Sequence, residues 1–294
     1  MKRTLIVIIL FTVLCSAVYG VKRPGLKPVI LDPTYHHDRF NTQPKDLVFL
    51  FRAYMTSFDS NDDNNGDGTG DNWGIPEWVS YEIRRCPDPG KGPKRPNWMT
   101  DDLLNRLGIA PTDDSYNYSK EFRDQNPNWY DRGHMCMKQI AWRLGADADW
   151  NTHTLLNACP QRTEFNGGIW HDMEILTGKW ADKYGVIWVI CGPIVNNMTP
   201  SSYIGESEKK EMPVAVPDAF FKIVIKESKD IERPDILAFI YPHDTPKKDK
   251  NHKRYLVSVD EIETRTGLDF LTILPDDIEA QLESKKAKSL WPEK

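Results

Sequence analysis

The chain predicts an α+β fold in which a mainly antiparallel central sheet is flanked by helices. Apolar runs at Trp78 to Ile83, Val186 to Ile190, Phe220 to Ile225 and Ile236 to Tyr241 read as strands. Ile169, Met173, Leu176 and Trp180 recur at helical spacing. Helices and strands are interspersed without the regular βαβ alternation of a parallel sheet. At 294 residues, 39% of them hydrophobic, the chain has ample material for a buried core.

Taken from the N-terminus, residues 1–20 open with Lys2-Arg3, run apolar from Leu5 to Val18 and end in short residues at Gly20, the pattern of a cleavable signal peptide. The run is too short for a membrane span. Leu14 stands where a small residue would precede a lipidated cysteine, so Cys15 does not favour a lipoprotein. A secreted or periplasmic protein without stable membrane association is expected. Residues 21–45, rich in Pro, Lys and His, read as an extended N-terminal segment, and residues 46–294 as a single domain with neither internal repeat nor linker.

Leu47 to Tyr54 is the first core signal. In the polar stretch that follows, Asp63, Asn65 and Asp67 alternate before Gly68 as in the first half of an EF-hand calcium loop. Gly74 replaces the closing glutamate, so a polar insertion competes with a Ca²⁺ site. Asp88 to Trp98 and Pro111 to Asn128 read as irregular. The helix through Trp180 should open near Asn166 and stop near Gly185. Ser258 with Glu261 forms a capping box for a short helix ending at Gly267, and Asp276 to Lys286 reads as a final amphipathic helix.

Removing the signal shifts the net charge from −5 to −7, with 36 Lys and Arg against 43 Asp and Glu. A partner as acidic as nucleic acid would then have to be met by a local cluster rather than a global field. Arg84, Arg85, Lys91, Lys94, Arg95, Arg132, Lys138, Arg143 and Arg162 supply one around the motif described next. Cys86, Cys136, Cys159 and Cys191 show no Cys-x-x-Cys spacing, which argues against structural zinc. An even count in an exported chain favours disulfides, with three connectivities open.

The chemistry concentrates between Trp129 and Glu174. Asp131-Arg132-Gly133-His134 is followed by Leu155-Leu156-Asn157-Ala158-Cys159-Pro160-Gln161, by Phe165-Asn166-Gly167-Gly168-Ile169-Trp170, and by Glu174. Phosphodiester hydrolysis needs an activated water and stabilisation of negative charge on the phosphate and on the leaving oxygen. His134 has an intrinsic pKa suited to accepting a proton near neutral pH. Asn166 offers a neutral carbonyl to a hard cation, or a cap to the helix. Glu174 lies eight residues on, its Cα about 12 Å away by helical rise, too far for easy shared ligation. Arg132 is a permanent cation able to address a phosphate oxygen. His-Glu-x-x-His, Gly-x-Ser-x-Gly and phosphate-loop motifs are absent, which removes the usual signatures of zinc proteases, serine hydrolases and P-loop NTPases.

From Tyr130 to Glu174 the order and spacing of these residues resemble the DNA/RNA non-specific endonuclease family. Its ββα-metal (His-Me finger) nucleases include secreted bacterial sugar-nonspecific nucleases and mitochondrial endonuclease G. A looser likeness runs from Pro76-Glu77-Trp78-Val79 through Leu274. The resemblance implies a ββα-metal core in which Asn166 ligates Mg²⁺, with Mn²⁺ as a substitute, and His134 activates the attacking water. It also implies that Glu174 holds water on the metal, that Arg132 supports the transition state, that Asn157 orders the site and that Arg95 is the second arginine. Asp131 is expected to tie the strand to neighbouring backbone. The implied activity is a secreted Mg²⁺-dependent endonuclease acting on DNA and RNA with little sequence specificity. A catalytically inactive binding module and a phosphodiesterase of small nucleotides are the alternatives.

Overall fold

Side-chain alternation along the strands decides the architecture. The computed structural model describes residues 31–40, 47–59, 72–118, 120–125, 129–205, 211–230 and 233–293. The expected signal peptide and the Asp63, Asn65 and Asp67 loop lie outside them. The strands are β1 (Leu47–Leu50), β2 (Met55–Phe58), β3 (Pro76–Arg84), β4 (Tyr130–His134), β5 (Ala158–Arg162), β6 (Val186–Ile194), β7 (Tyr203–Ile204), β8 (Val214–Ala215), β9 (Ala219–Lys226), β10 (Asp235–Pro242) and β11 (Leu256–Val257). Seven form one sheet in the order β1-β2-β3-β6-β9-β10-β11, with every neighbouring pair antiparallel. This is the expected α+β class.

Because side chains alternate, the central strands feed two cores. Val79, Tyr81, Val189, Cys191, Phe220, Val224, Leu237 and Phe239 point to one. Trp78, Trp188, Ile190, Phe221, Ile223, Ala238 and Ile240 point to the other. The helices are α1 (Asp102–Arg106), α2 (Lys120–Gln125), α3 (Lys138–Trp142), α4 (Ala146–Asn151), α5 (Thr163–Phe165), α6 (His171–Tyr184), α7 (Val259–Thr266) and α8 (Asp276–Glu283). Helix α6 covers the first face through Met173, Leu176 and Trp180, with the β4–β5 ribbon beside it. Full burial of each such side chain stabilises by roughly 1.5–3 kcal/mol. Helix α7 covers the second face through Val259 and Ile262, and α8 adds Leu282. Ser258 accepts from the Glu261 backbone N–H at 3.2 Å, and α7 stops at Gly267, φ 62°, as the capping signals require.

Several expectations are corrected. Pro111 to Asn128 is not wholly irregular: Thr112 caps a 3₁₀ turn at Asp113–Tyr116, and α2 follows. Both are too short to display a hydrophobic period. Residues 31–40, read as an extended segment, form turns against the sheet, where His37 and Phe40 are buried and Phe40 packs edge-on to Trp188. The final helix ends at Glu283, before the expected Lys286. Among the described residues no disulfide forms: Cys86, Cys136, Cys159 and Cys191 are all free thiols. The Cys191 thiol donates to the Met135 carbonyl at 3.4 Å and that of Cys136 points to the Ala53 carbonyl, so these sulfurs are aimed at backbone rather than at each other.

Candidate active site

The site grows from the β4–β5 ribbon and the helix that follows it. The strands pair with Gly133 opposite Cys159 and His134 opposite Ala158. Glycine is required at position 133 because an added Cβ would fall inside the Gln161 side chain. After β5 the chain turns through α5 into one wide π turn, Asn166–Trp170, and then α6. Gly168 lets this turn approach a distant segment, since a Cβ there would lie 3.0 Å from the Lys247 Cα. Two strands and a helix thus bring His134, Asn166 and Glu174 onto one supersecondary unit. Trp170 locks the unit, its indole N–H donating to the His134 carbonyl at 3.1 Å.

His134 sits in an aromatic and cationic pocket. Its ring lies 4.6 Å from that of Trp98 and 4.8 Å from that of His153. Burial pushes its pKa well below the usual 6.5, and His153, Arg95 and Lys138 lower it further. The imidazole is therefore held neutral more firmly than its intrinsic pKa suggests. Arg95, in an exposed loop, donates from Nε to His153 Nε2 at 3.2 Å. His153 Nδ1 is 3.2 Å from the Thr152 hydroxyl, which itself donates to the Asp149 carbonyl at 2.7 Å. This pattern places the imidazole proton on Nδ1 and leaves Nε2 as a lone-pair acceptor for Arg95. Burial, followed by Arg95, lowers the His153 pKa to about 4, in keeping with a neutral ring.

Asn157 is fully buried and braces the turn after His134. It accepts from the Cys136 N–H at 2.8 Å and donates to the Cys136 and Thr152 carbonyls at 2.9 and 3.0 Å. Asn166 is not the N-cap of the following helix, because its φ and ψ of −58° and −51° are helical. Its amide nitrogen donates to Asp131 Oδ2 at 3.2 Å, so the aspartate holds a side chain rather than the neighbouring backbone. The Asn166 carbonyl oxygen is left as an available hard donor, the type that a magnesium ion accepts. Glu174 is buried one turn beyond Trp170, and its Oε1 has no hydrogen-bond partner. Burial raises its pKa to about 7, against the opposing charge of Lys222. Lys222 is itself fully buried on β9, its ammonium 3.8 Å from the Trp170 ring centre. An unpaired buried carboxylate oxygen near a buried ammonium suits a bound water, which fits the glutamate to a metal-hydrating role.

Arg132 is placed differently. Its Nε is ion-paired with Asp113, and Nη2 donates to the Asp113 carbonyl at 3.2 Å and to the Asn117 side chain, which ties it to the 3₁₀ turn. Arg84, Lys138 and Arg143 of the basic cluster are likewise paired, with Glu82, Asp149 and Asp182. Among the described residues no ion pair engages Arg85, Lys91, Lys94, Arg95 or Arg162, so the loop before the motif and the end of β5 carry the cluster's available positive charge. Sequence reasoning missed His153, Trp98 and Lys222. None belongs to a motif, and only their convergence marks them. Two groups of carboxylates also have the spacing to hold a divalent ion: Asp260, Glu263 and Glu283, and Asp269, Glu279 and Glu283. They sit around α7 and α8, on the sheet face opposite α6, so neither can be the Asn166 centre.

Among the described residues no helix is long and apolar enough to cross a membrane. The family model for the DNA/RNA non-specific endonucleases matches residues 69–277. The nuclease of Serratia marcescens is 31% identical over 214 residues, covering 71% of this chain and 73% of that protein. Mitochondrial nuclease EXOG of Xenopus laevis is 27% identical over 210 residues, covering 65% of this chain and 56% of that protein. The crystal structure of the EndoG/EndoGI complex shares the fold, with a TM-score of 0.54 at 22% identity over 78% of this chain and 87% of that one. The chain therefore belongs to the DNA/RNA non-specific endonuclease family, and nuclease chemistry in general terms comes with that membership.

Proposed function

We propose that this family member is an exported, divalent-metal-dependent endonuclease that hydrolyses DNA and RNA with little regard for sequence. The observation that carries the reading is the anchoring of Asn166. Its amide is turned to Asp131, which leaves its carbonyl oxygen as a neutral donor on the unit that carries His134. Asn166 would hold Mg²⁺, or Mn²⁺ in its place, and the ion when bound supplies positive charge to phosphate oxygens as negative charge builds on them.

Neutral His134 accepts a proton from the attacking water. The water oxygen bonds to phosphorus as the bond to the departing sugar oxygen breaks, and that oxygen takes up a proton from solvent. Asn157 keeps the turn behind His134 in place, and Glu174 orients water at the site from beneath. Arg95 reaches the phosphate from its loop while its Nε stays on His153. Arg132 supports the phosphate from a fixed position with its charge reduced by Asp113, so Arg95 has the larger share. A site that addresses phosphate has little means of sensing the 2′-hydroxyl, which supports action on both polymers.

The test is incubation of the purified mature protein with closed circular DNA and with RNA in millimolar Mg²⁺, with and without chelator. Nicking of the circle and degradation of RNA, both stopped by chelator, are expected. Cleavage of small nucleotide diesters alone, or of nothing, overturns the reading.

A further inference from the structure

Antiparallel pairing sets the two residues of a cross-strand pair on one face of the β4–β5 ribbon, and alternation brings every second pair to that face. His134 with Ala158, Arg132 with Pro160 and Tyr130 with Arg162 therefore share a face, while Gly133 with Cys159 and Asp131 with Gln161 share the other. The Tyr130 and Arg162 pair stands four residues along the ribbon from His134, about 13 Å by strand rise. That separation puts Arg162 beyond the phosphate on which His134 acts.

Arg162 has a fixed base and a free head. Its backbone N–H donates to His243 Nε2 at 2.8 Å, and His243 Nδ1 lies 2.7 Å from the Pro217 carbonyl with the ring buried. The Tyr130 ring is 5.7 Å from that of His243 and flanks the arginine across the ribbon. Among the described residues the Arg162 guanidinium enters no ion pair and no hydrogen bond. Arg132, the other arginine on this face, is held by Asp113 and Asn117. Arg95 approaches through His153 at the His134 end of β4, whereas Arg162 stands at the Tyr130 end. Unpaired positive charge thus occupies both ends of the strand, and the arginine between them is neutralised. A substrate with one phosphate at His134 meets only the first end, and a chain of phosphates meets both.

We propose that Arg162 binds the phosphate of a nucleotide other than the one being cut, and so makes the site discriminate polynucleotides from small phosphodiesters. The substrate class rests on the nuclease reading, but the contact needs no catalysis. A guanidinium fork takes phosphate oxygens in pairs, and each phosphate it neutralises releases condensed counterions, so losing one such contact flattens the salt dependence of binding. The contact carries no information about bases, in keeping with cleavage that disregards sequence.

The experiment measures binding of a fluorescent single-stranded oligothymidylate in chelator, where no cleavage occurs, across a NaCl series. Wild type, Arg162→Gln, Arg162→Lys and Arg233→Gln are compared, Arg233 being a charge engaged elsewhere by Gln281 of α8. Arg162→Gln is expected to bind several-fold more weakly at low salt. Its slope of log K against log salt should be shallower by about 0.7, the value for one phosphate of a single strand. Arg162→Lys should restore the slope, and Arg233→Gln should match wild type. In Mg²⁺, Arg162→Gln should raise KM for the same oligonucleotide and spare kcat, which a merely structural role would not do. A wild-type slope in Arg162→Gln overturns the proposal, whether or not the protein cuts nucleic acid. An equal loss of affinity for a dinucleotide with one phosphate also overturns it, since Arg162 would then act at the phosphate being cut. The expected change of slope in a protein that cuts nothing sustains the proposal and removes the catalytic reading instead. A wild type that fails to bind the oligonucleotide removes both.

Discussion

Only the neutral form of His134 can take a proton, and burial with three cationic or ionisable neighbours already favours that form. The sign of the pH dependence follows directly. As pH rises through a depressed pKa the neutral fraction grows and then saturates, so kcat/KM should climb and reach its plateau below the ordinary histidine value of 6.5. A pH–rate profile checks this, and a limb centred at or above that value contradicts the described pocket. His134→Ala should lower turnover by about 10²–10⁴-fold while metal binding persists. Asn166→Ala should instead raise the metal requirement and recover part of its rate at high Mg²⁺, read from activity across a metal titration. Asn157→Ala leaves the Cys136 N–H and two carbonyls buried without their partner, at about 1–3 kcal/mol for each group left unsatisfied. Its denaturation midpoint should fall with its activity.

At the scale of elements, the wide turn from Asn166 to Trp170 decides where the metal donor stands relative to the base. Gly168→Ala sets a methyl 3.0 Å from the Lys247 Cα, which the backbone there can relieve only by moving. Overpacking of this kind costs about 1–3 kcal/mol. Because Asn166 opens the same turn, the variant should need more Mg²⁺ for half-maximal rate, whereas a surface substitution of equal destabilisation should not. Helix α7 was legible from its ends alone, since a serine cap and a terminal glycine act within a few residues. The π turn was not, because the distant segment at Lys247 makes it necessary. Short α2 escaped for a different reason, having too few residues to show a period.

For the whole molecule, charge is the governing quantity. The chain without its first 20 residues carries 36 basic against 43 acidic residues, and Arg84, Arg132, Lys138 and Arg143 are neutralised by acids nearby. Attraction of a polyanion by the cluster then rests on the bases of the loop around Arg95 and on Arg162 at the end of β5. Screening shortens the reach of such a cluster to about 8–10 Å near physiological salt. Cleavage of polymeric DNA should therefore fall steeply between low and moderate NaCl, as initial rates measure, and a salt-independent rate contradicts local electrostatic capture.

The sequence by itself determined the class of fold, the strands at Trp78, Val186, Phe220 and Ile236 and the capped helix that stops at Gly267, all written in spacing and local chemistry that a linear reading can follow. Chemistry also marked His134 and Asn166, whereas Asn157 and Glu174 were singled out by the resemblance of the Tyr130 to Glu174 stretch to the nuclease family. Only the tertiary structure decided the partners: Asp131 on the Asn166 amide, His153 under Arg95, Asp113 on Arg132, Lys222 near Glu174, and four thiols left free. Each joins residues far apart in the chain, or, for the thiols, depends on the direction in which a buried sulfur points. Such contacts arise when a seven-stranded sheet brings distant segments together, and no period or motif along the chain encodes them.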